Sequence, residues 1–146
     1  MVFKHLIALS FLILFLYTAT SKLLNYSQFV YQLRISPFAI VSYWSEVLGY
    51  VIPIIELLFV IYLAVGVLLT KYLNKSIVAA VVLISIFEIY IIGMLLSGLD
   101  LPCSCGGIVS LMSWKAHLVF NGIFIFAGLF SLKTQNLVFQ RNRLSI

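Results

Sequence analysis

The chain has 146 residues, 64% of them hydrophobic and 9% charged, with a mean hydropathy of +1.19. A soluble domain carries about 25% charged residues, so this chain is read as an integral membrane protein, and its net charge of +5 speaks to topology. No basic stripe is interleaved with aromatics, which excludes nucleic acid as a partner.

Charges mark off four apolar segments. The first, about His5 to Ser21, lies between Lys4 and Lys22. Roughly 17 residues is the lower limit for a span, and flanking lysines can snorkel. A cleaved signal peptide is the competing assignment, with a basic start, an apolar core Leu6–Tyr17 and small residues Thr18 to Ser21. Retention of the segment is expected. The stretch Asn25–Trp44 mixes Phe29, Tyr31, Leu33, Phe38, Tyr43 and Trp44 with polar residues. It is too polar to span, and is expected as a short amphipathic helix or re-entrant stretch at the interface, broken near Pro37.

The second span is expected over residues 47–70, with Pro53 and Glu56 inside it. A basic turn, Lys71 to Lys75, leads to the third, over residues 76–99, which contains Glu88. The fourth is expected over residues 114–132, with Ser113 as its N-cap. The tail Thr134–Ile146 is polar and basic, and is expected on the membrane surface. No repeat, low-complexity tract or linker divides the chain. The expected architecture is an all-α, four-helix membrane bundle of one domain, residues 1–146, with a short interfacial segment between spans one and two.

Four spans put both termini and the turn between spans two and three on one side. That side holds Lys4, Lys71, Lys75, Lys133, Arg141 and Arg143, against Lys22, Arg34 and Lys115 on the other. The positive-inside rule then places the termini in the cytoplasm. The chain is expected in a bacterial inner membrane, with the turn between spans three and four facing an oxidising periplasm.

That turn, Leu99 to Gly107, interrupts the apolar sequence with Asp100, Pro102, Cys103, Ser104, Cys105, Gly106 and Gly107. Proline lacks an amide hydrogen and disfavours a helical residue before it, while paired glycines admit a sharp turn. Cys103 and Cys105 are the two cysteines of the chain. Two are too few for a disulfide framework or a zinc ribbon. Residues two positions apart have Cα atoms at most about 7 Å apart, and a bridge needs about 4.4–6.8 Å. A Cys103–Cys105 disulfide therefore requires a folded-back, strained turn, and strained exposed disulfides are the labile, oxidising ones. Thiol–disulfide chemistry is expected; ordinary loop thiols and metal binding are the competing readings, and no metal is assigned.

Glu56 and Glu88 are the carboxyls inside spans. Each costs several kcal/mol there unless neutral or paired. At 1.5 Å per residue both lie about 14–17 Å deep, where they can share a proton or hold a ligand's polar head. The competing reading is that each is protonated and bonds a nearby backbone group. His117 stands one turn into span four on the cysteine side, with Asn121 four residues on along the same face. It can tune a cysteine or relay protons, or merely hydrogen-bond at the interface. Lys22 can supply positive charge near a thiolate, or simply snorkel. The candidate site is thus Cys103 and Cys105 as the reactive pair, supported by Glu56, Glu88, His117 and Lys22.

Several of these residues resemble a known family. Ser21-Lys22-Leu23-Leu24 closing span one, the aromatic stretch, Pro53-Ile54-Ile55-Glu56-Leu57-Leu58, and the Cys103-Ser104-Cys105-Gly106-Gly107 turn followed by Trp114 look like the MauE/DoxX-like membrane proteins, over about Phe15 to Asn121. The resemblance implies a four-helix membrane fold. It sets Cys103 and Cys105 on the family's Cys-x-Cys and Glu56 on its span-two glutamate. It also implies a link to the maturation of methylamine dehydrogenase, whose small subunit carries many periplasmic disulfides.

The expected function is a membrane thiol–disulfide redox protein whose outer cysteine pair exchanges disulfides with a thioredoxin-like or secreted partner. A quinone near Glu56 and Glu88 is the candidate electron acceptor, by functional analogy with quinone-linked disulfide enzymes. Two other readings stand beside it. One is a non-enzymatic accessory subunit of a larger membrane complex, with a structural Cys-x-Cys clip. The other is a small transporter or lipid-binding module built on Glu56 and Glu88.

Overall fold

The computed structural model describes residues 2–98 and 113–143, with side chains as far as residue 133. The described chain is helical, with no strand in it: α1 (Val2–Leu24), α2 (Tyr26–Arg34), α3 (Ala39–Tyr43), α4 (Ser45–Leu68), α5 (Thr70–Leu96) and α6 (Trp114–Arg143). Four stretches are long and apolar enough to cross a membrane: α1, α4, α5 and the part of α6 over Trp114–Lys133. The expected all-α four-helix membrane bundle is what forms.

Many large apolar side chains point outward, among them Ile54, Leu58 and Ile61 on α4 and Val82, Ile86 and Ile89 on α5. Contiguous apolar exposure on this scale is unsustainable in water; in a bilayer it is the lipid face. Inside, α1 packs mainly on α4, and α5 joins α4 to α6. The buried residues of α1 include Ala8, Phe11, Phe15, Ala19 and Lys22, at spacings of three or four that trace one helix face. Phe11 and Phe15 meet Leu63, Ile77, Ala80 and Ile84 in the core. Phe11 packs edge-on to Phe124 at 5.4 Å, and Phe15 to Phe59 at 6.3 Å.

The connection between α4 and α5 is shorter than expected. Leu69 alone, with extended φ/ψ, separates the helices. Lys71 to Lys75 is therefore not a turn but the start of α5, its charges leaving along flexible stems; Lys71 lies over the Tyr72 ring at 5.6 Å. Close approach at this corner needs Gly66, since a Cβ there would stand 2.1 Å from the Ser76 hydroxyl oxygen. At the far end, α5 stops at Leu96, short of the expected residue 99. Gly98 takes a φ of +68, the left-handed conformation that ends helices, and its amide donates back to the Leu95 carbonyl.

The aromatic segment forms as expected, in two pieces interrupted around Pro37. α2 buries Phe29, Val30 and Leu33 and leaves Tyr31 outside; it lies mainly against α4. The link to α3 is tied to α5: the Tyr90 hydroxyl lies 3.3 Å from Ser36 Oγ, and the Phe38 ring packs 5.8 Å from the Tyr90 ring. Ser113 caps α6 as expected, its hydroxyl accepting from the Ala116 amide at 3.3 Å. The span in α6 ends near Lys133, but helix continues to Arg143, where the sequence suggested a tail on the membrane surface.

Candidate functional site

α1 and α4 run antiparallel, so the last turn of α1 lies beside the first half of α4. Lys22 stands on the inward face of α1, one turn beyond Ala19, and is buried. Glu56 continues the inward face of α4 marked by Ser45, Gly49 and Pro53 and is almost wholly enclosed, at 1% exposure. The Lys22 ammonium donates to Glu56 Oε1 and forms an ion pair with it. The same ammonium lies 5.7 Å from the Phe29 ring centre and 5.3 Å from that of Phe87, so ring faces supplement the single carboxylate contact. Glu56 Oε2 is buried and has no hydrogen-bond partner.

The pair forms one wall of a cavity of about 400 Å³ lined by residues of all six helices. Most of its lining is apolar or aromatic. The polar exceptions are Lys22, Glu56, Thr18, Tyr90, His117 and Asn121, and Trp114 closes the end where α6 begins. The cavity is thus an apolar, aromatic recess whose one charged wall is a neutralised pair.

The structure redraws two expectations. Lys22 is no snorkelling flank, because its helix face turns it into the bundle where Glu56 compensates its charge. Glu56 and Glu88 do not form a proton-sharing couple either. Glu56 is taken by Lys22, whereas Glu88 is rotated toward α6, where it faces Asn121 and His117 and lies 3.9 Å from where a Cβ on Gly122 would stand. Glu88 Oε2 is also buried without a hydrogen-bond partner. His117 and Asn121 are thus on one helix face as expected, and that face meets both the cavity and Glu88.

Cys103 and Cys105 lie outside the described residues. Their flanking helix ends are described: the last turns of α5 and the first of α6 stand at the end of the bundle that also carries α2 and α3. No group of three or more His, Cys, Asp or Glu side chains among the described residues could hold a metal.

A second, exposed ion pair sits at this same end. Arg34 of α2 donates to Glu46 of α4 at 2.8 Å, beside the stacked rings of Tyr26 and Tyr50, 4.3 Å apart. Sequence reading passed over this pair, and over the cavity's aromatic walls at Phe87 and Tyr90. One signal pointed to Lys22: it falls in step with Phe11, Phe15 and Ala19.

These features define a multi-pass α-helical membrane protein with a charged pair enclosed in its bundle. The sequence matches the family described as methylamine utilisation protein MauE over residues 1–134. The chain belongs to that family, as the motif resemblance implied. Neither the curated proteins nor the solved structures gave a match.

Proposed function

We propose that this member of the methylamine utilisation family is a membrane thiol–disulfide redox protein, with Cys103 and Cys105 as its exchanging pair. The observation that carries the reading is the position of Trp114. This residue opens α6, follows directly on the segment bearing both cysteines, and lines the cavity that holds the Lys22–Glu56 pair. A compensated charge inside a bilayer is costly to maintain and marks a working site; here it lies beneath the end of the bundle from which the cysteine segment departs.

In the exchange, a thiolate of the client attacks one sulfur of the Cys103–Cys105 disulfide. A mixed disulfide forms and the other cysteine leaves as a thiolate. The client's second thiolate then attacks the mixed disulfide. The client is oxidised by two electrons, and the membrane pair is reduced to two thiols. A thioredoxin-like or secreted protein fits the client's role.

Orientation follows from the basic residues. With Lys22 counted as an internal charge, the ends bearing Lys4, Lys71, Lys75, Lys133, Arg141 and Arg143 outweigh Arg34 and Lys115 further. Cytoplasmic termini in a bacterial inner membrane leave the cysteines facing the periplasm.

The test is mass-tag alkylation of the pair in isolated membranes, across a series of thiol redox buffers. A pair that moves reversibly between reduced and oxidised forms supports exchange; one fixed in a single state in every buffer points to a structural clip. In a Cys105→Ser variant the lone Cys103 thiolate can attack the disulfide of an oxidised client, releasing one client thiolate. With no neighbouring cysteine to resolve the product, it should hold that client as a mixed disulfide.

A further inference from the structure

We propose that the cavity walled by the Lys22–Glu56 pair binds a membrane-soluble quinone, with the pair holding the ring oxygens and the aromatic wall holding the ring. The proposal rests on the redox reading of the cysteines for its purpose but not for its geometry. The volume, about 400 Å³, falls within the ~300–1,000 Å³ usual for small-molecule sites.

Three observations select the ligand class. First, the polar wall is a salt bridge and so carries no net charge; a charged ligand would lose its hydration here without gaining a counter-charge. Second, the wall offers both kinds of hydrogen bond. Lys22 has three N–H donors and gives one to Glu56 Oε1, while Glu56 Oε2 is a buried acceptor without a partner. A quinone oxygen can accept from Lys22, and a quinol hydroxyl can donate to Glu56, so one site serves both redox states. Third, Phe29, Phe87, Tyr90, Trp114 and Phe120 all line the space, and flat π-faces are what a conjugated ring packs against. An acyl chain would use the apolar wall and leave the carboxylate oxygen unsatisfied.

The redox balance closes with the exchange proposed above. Joining the Cys103 and Cys105 thiols in a disulfide releases two electrons and two protons, which convert one quinone to one quinol. The pair is then ready for the next client dithiol.

Trp44 and Trp114 are the two tryptophans of the chain. Trp44 is half exposed at the interface, so a Trp44→Phe variant confines indole emission to the cavity wall. Titrating this full-length variant in lipid vesicles with decylubiquinone should quench Trp114 saturably. Adding Lys22→Met with Glu56→Leu should raise the midpoint by at least about tenfold. Ile52→Phe, which fills the cavity while leaving both charged residues in the sequence, should do the same, so the test survives if the double variant fails to fold. Quenching that is unsaturable, or equal in all these variants, overturns the site. Equal competition by n-decanol makes the occupant an acyl chain and also overturns it.

Cys103→Ser with Cys105→Ser should leave the midpoint unchanged. Saturable binding beside a cysteine pair fixed in one redox state would sink the exchange reading and leave this one standing. A reversible pair without saturable binding would do the opposite.

Discussion

Lys22 and Glu56, 34 residues apart in sequence, form an ion pair within the bundle of a protein that holds only 13 charged side chains, nine basic and four acidic. One of the four acids and one of the nine bases are thus spent on each other where neither meets water. Burial of this kind is sustained by mutual compensation, so the two residues should behave as one unit.

Removing one partner strands the other's charge. Lys22→Met or Glu56→Leu alone should destabilise the bundle by about 3–5 kcal/mol, while the double variant should lose much less. Unfolding midpoints in detergent for the two singles and the double make the cycle. Additive losses would show that the pair carries no coupling.

Glu88 should respond differently, because its neighbours are Asn121 and His117 rather than a lysine. Glu88→Gln keeps an acceptor for Asn121 and should leave the unfolding midpoint nearly unchanged. Glu88→Leu removes it, at a cost of about 1–3 kcal/mol. Equal behaviour of the two variants would mean that Glu88 contributes no hydrogen bond to the α5–α6 contact.

Gly66 and Ser76 form the tightest approach between α4 and α5. Gly66→Ala puts a methyl 2.1 Å from the Ser76 hydroxyl oxygen and 2.9 Å from its Cβ, and should force the hairpin apart. Combining it with Ser76→Gly should restore the packing, since the helix glycine is moved from residue 66 to residue 76 with no net change in glycine count. Thermal midpoints of wild type, single and double variants read this directly; no rescue would place the strain elsewhere, the nearest candidate being the Leu73 backbone.

The cysteine pair makes a topological prediction. A thiol reagent that cannot cross membranes should label reduced Cys103 and Cys105 in intact spheroplasts. Labelling only after lysis would reverse the orientation argued from the basic residues.

The spans were legible because hydropathy over twenty residues swamps every local detail, and the break in the aromatic segment was legible because Pro37 stands there. Partners were harder. Glu56 announced itself as an acid in an apolar run, but depth alone could not decide between Glu88 and Lys22. The deciding quantity is rotation about the helix axis: Glu56 follows Gly49 and Pro53 toward α1, and Glu88 turns toward α6. Lys22 was misread because a lysine at the end of a span ordinarily reaches for water. Here the phase set by Phe11, Phe15 and Ala19 overrides that habit. Helix ends fell where backbone conformation permitted, at Gly98 rather than at Asp100 or Pro102, and at Leu69 rather than after the lysines.

The single residue between α4 and α5 also bears on how the chain enters a membrane. Consecutive Cα atoms are about 3.8 Å apart, so helix ends separated by Leu69 alone remain within one helix diameter of each other throughout synthesis. The two most apolar spans, with mean hydropathies of 2.7 and 2.5, are therefore delivered as a ready-made hairpin rather than as two independent insertions. The charged residues of its arms are Glu46 near the start of one, Lys71 and Lys75 at the start of the other, and Glu56 and Glu88 partway along. Lys22, made earlier, is already in place when Glu56 arrives, so the costliest group in the first arm meets its counter-charge during assembly, before α6 exists to close the bundle.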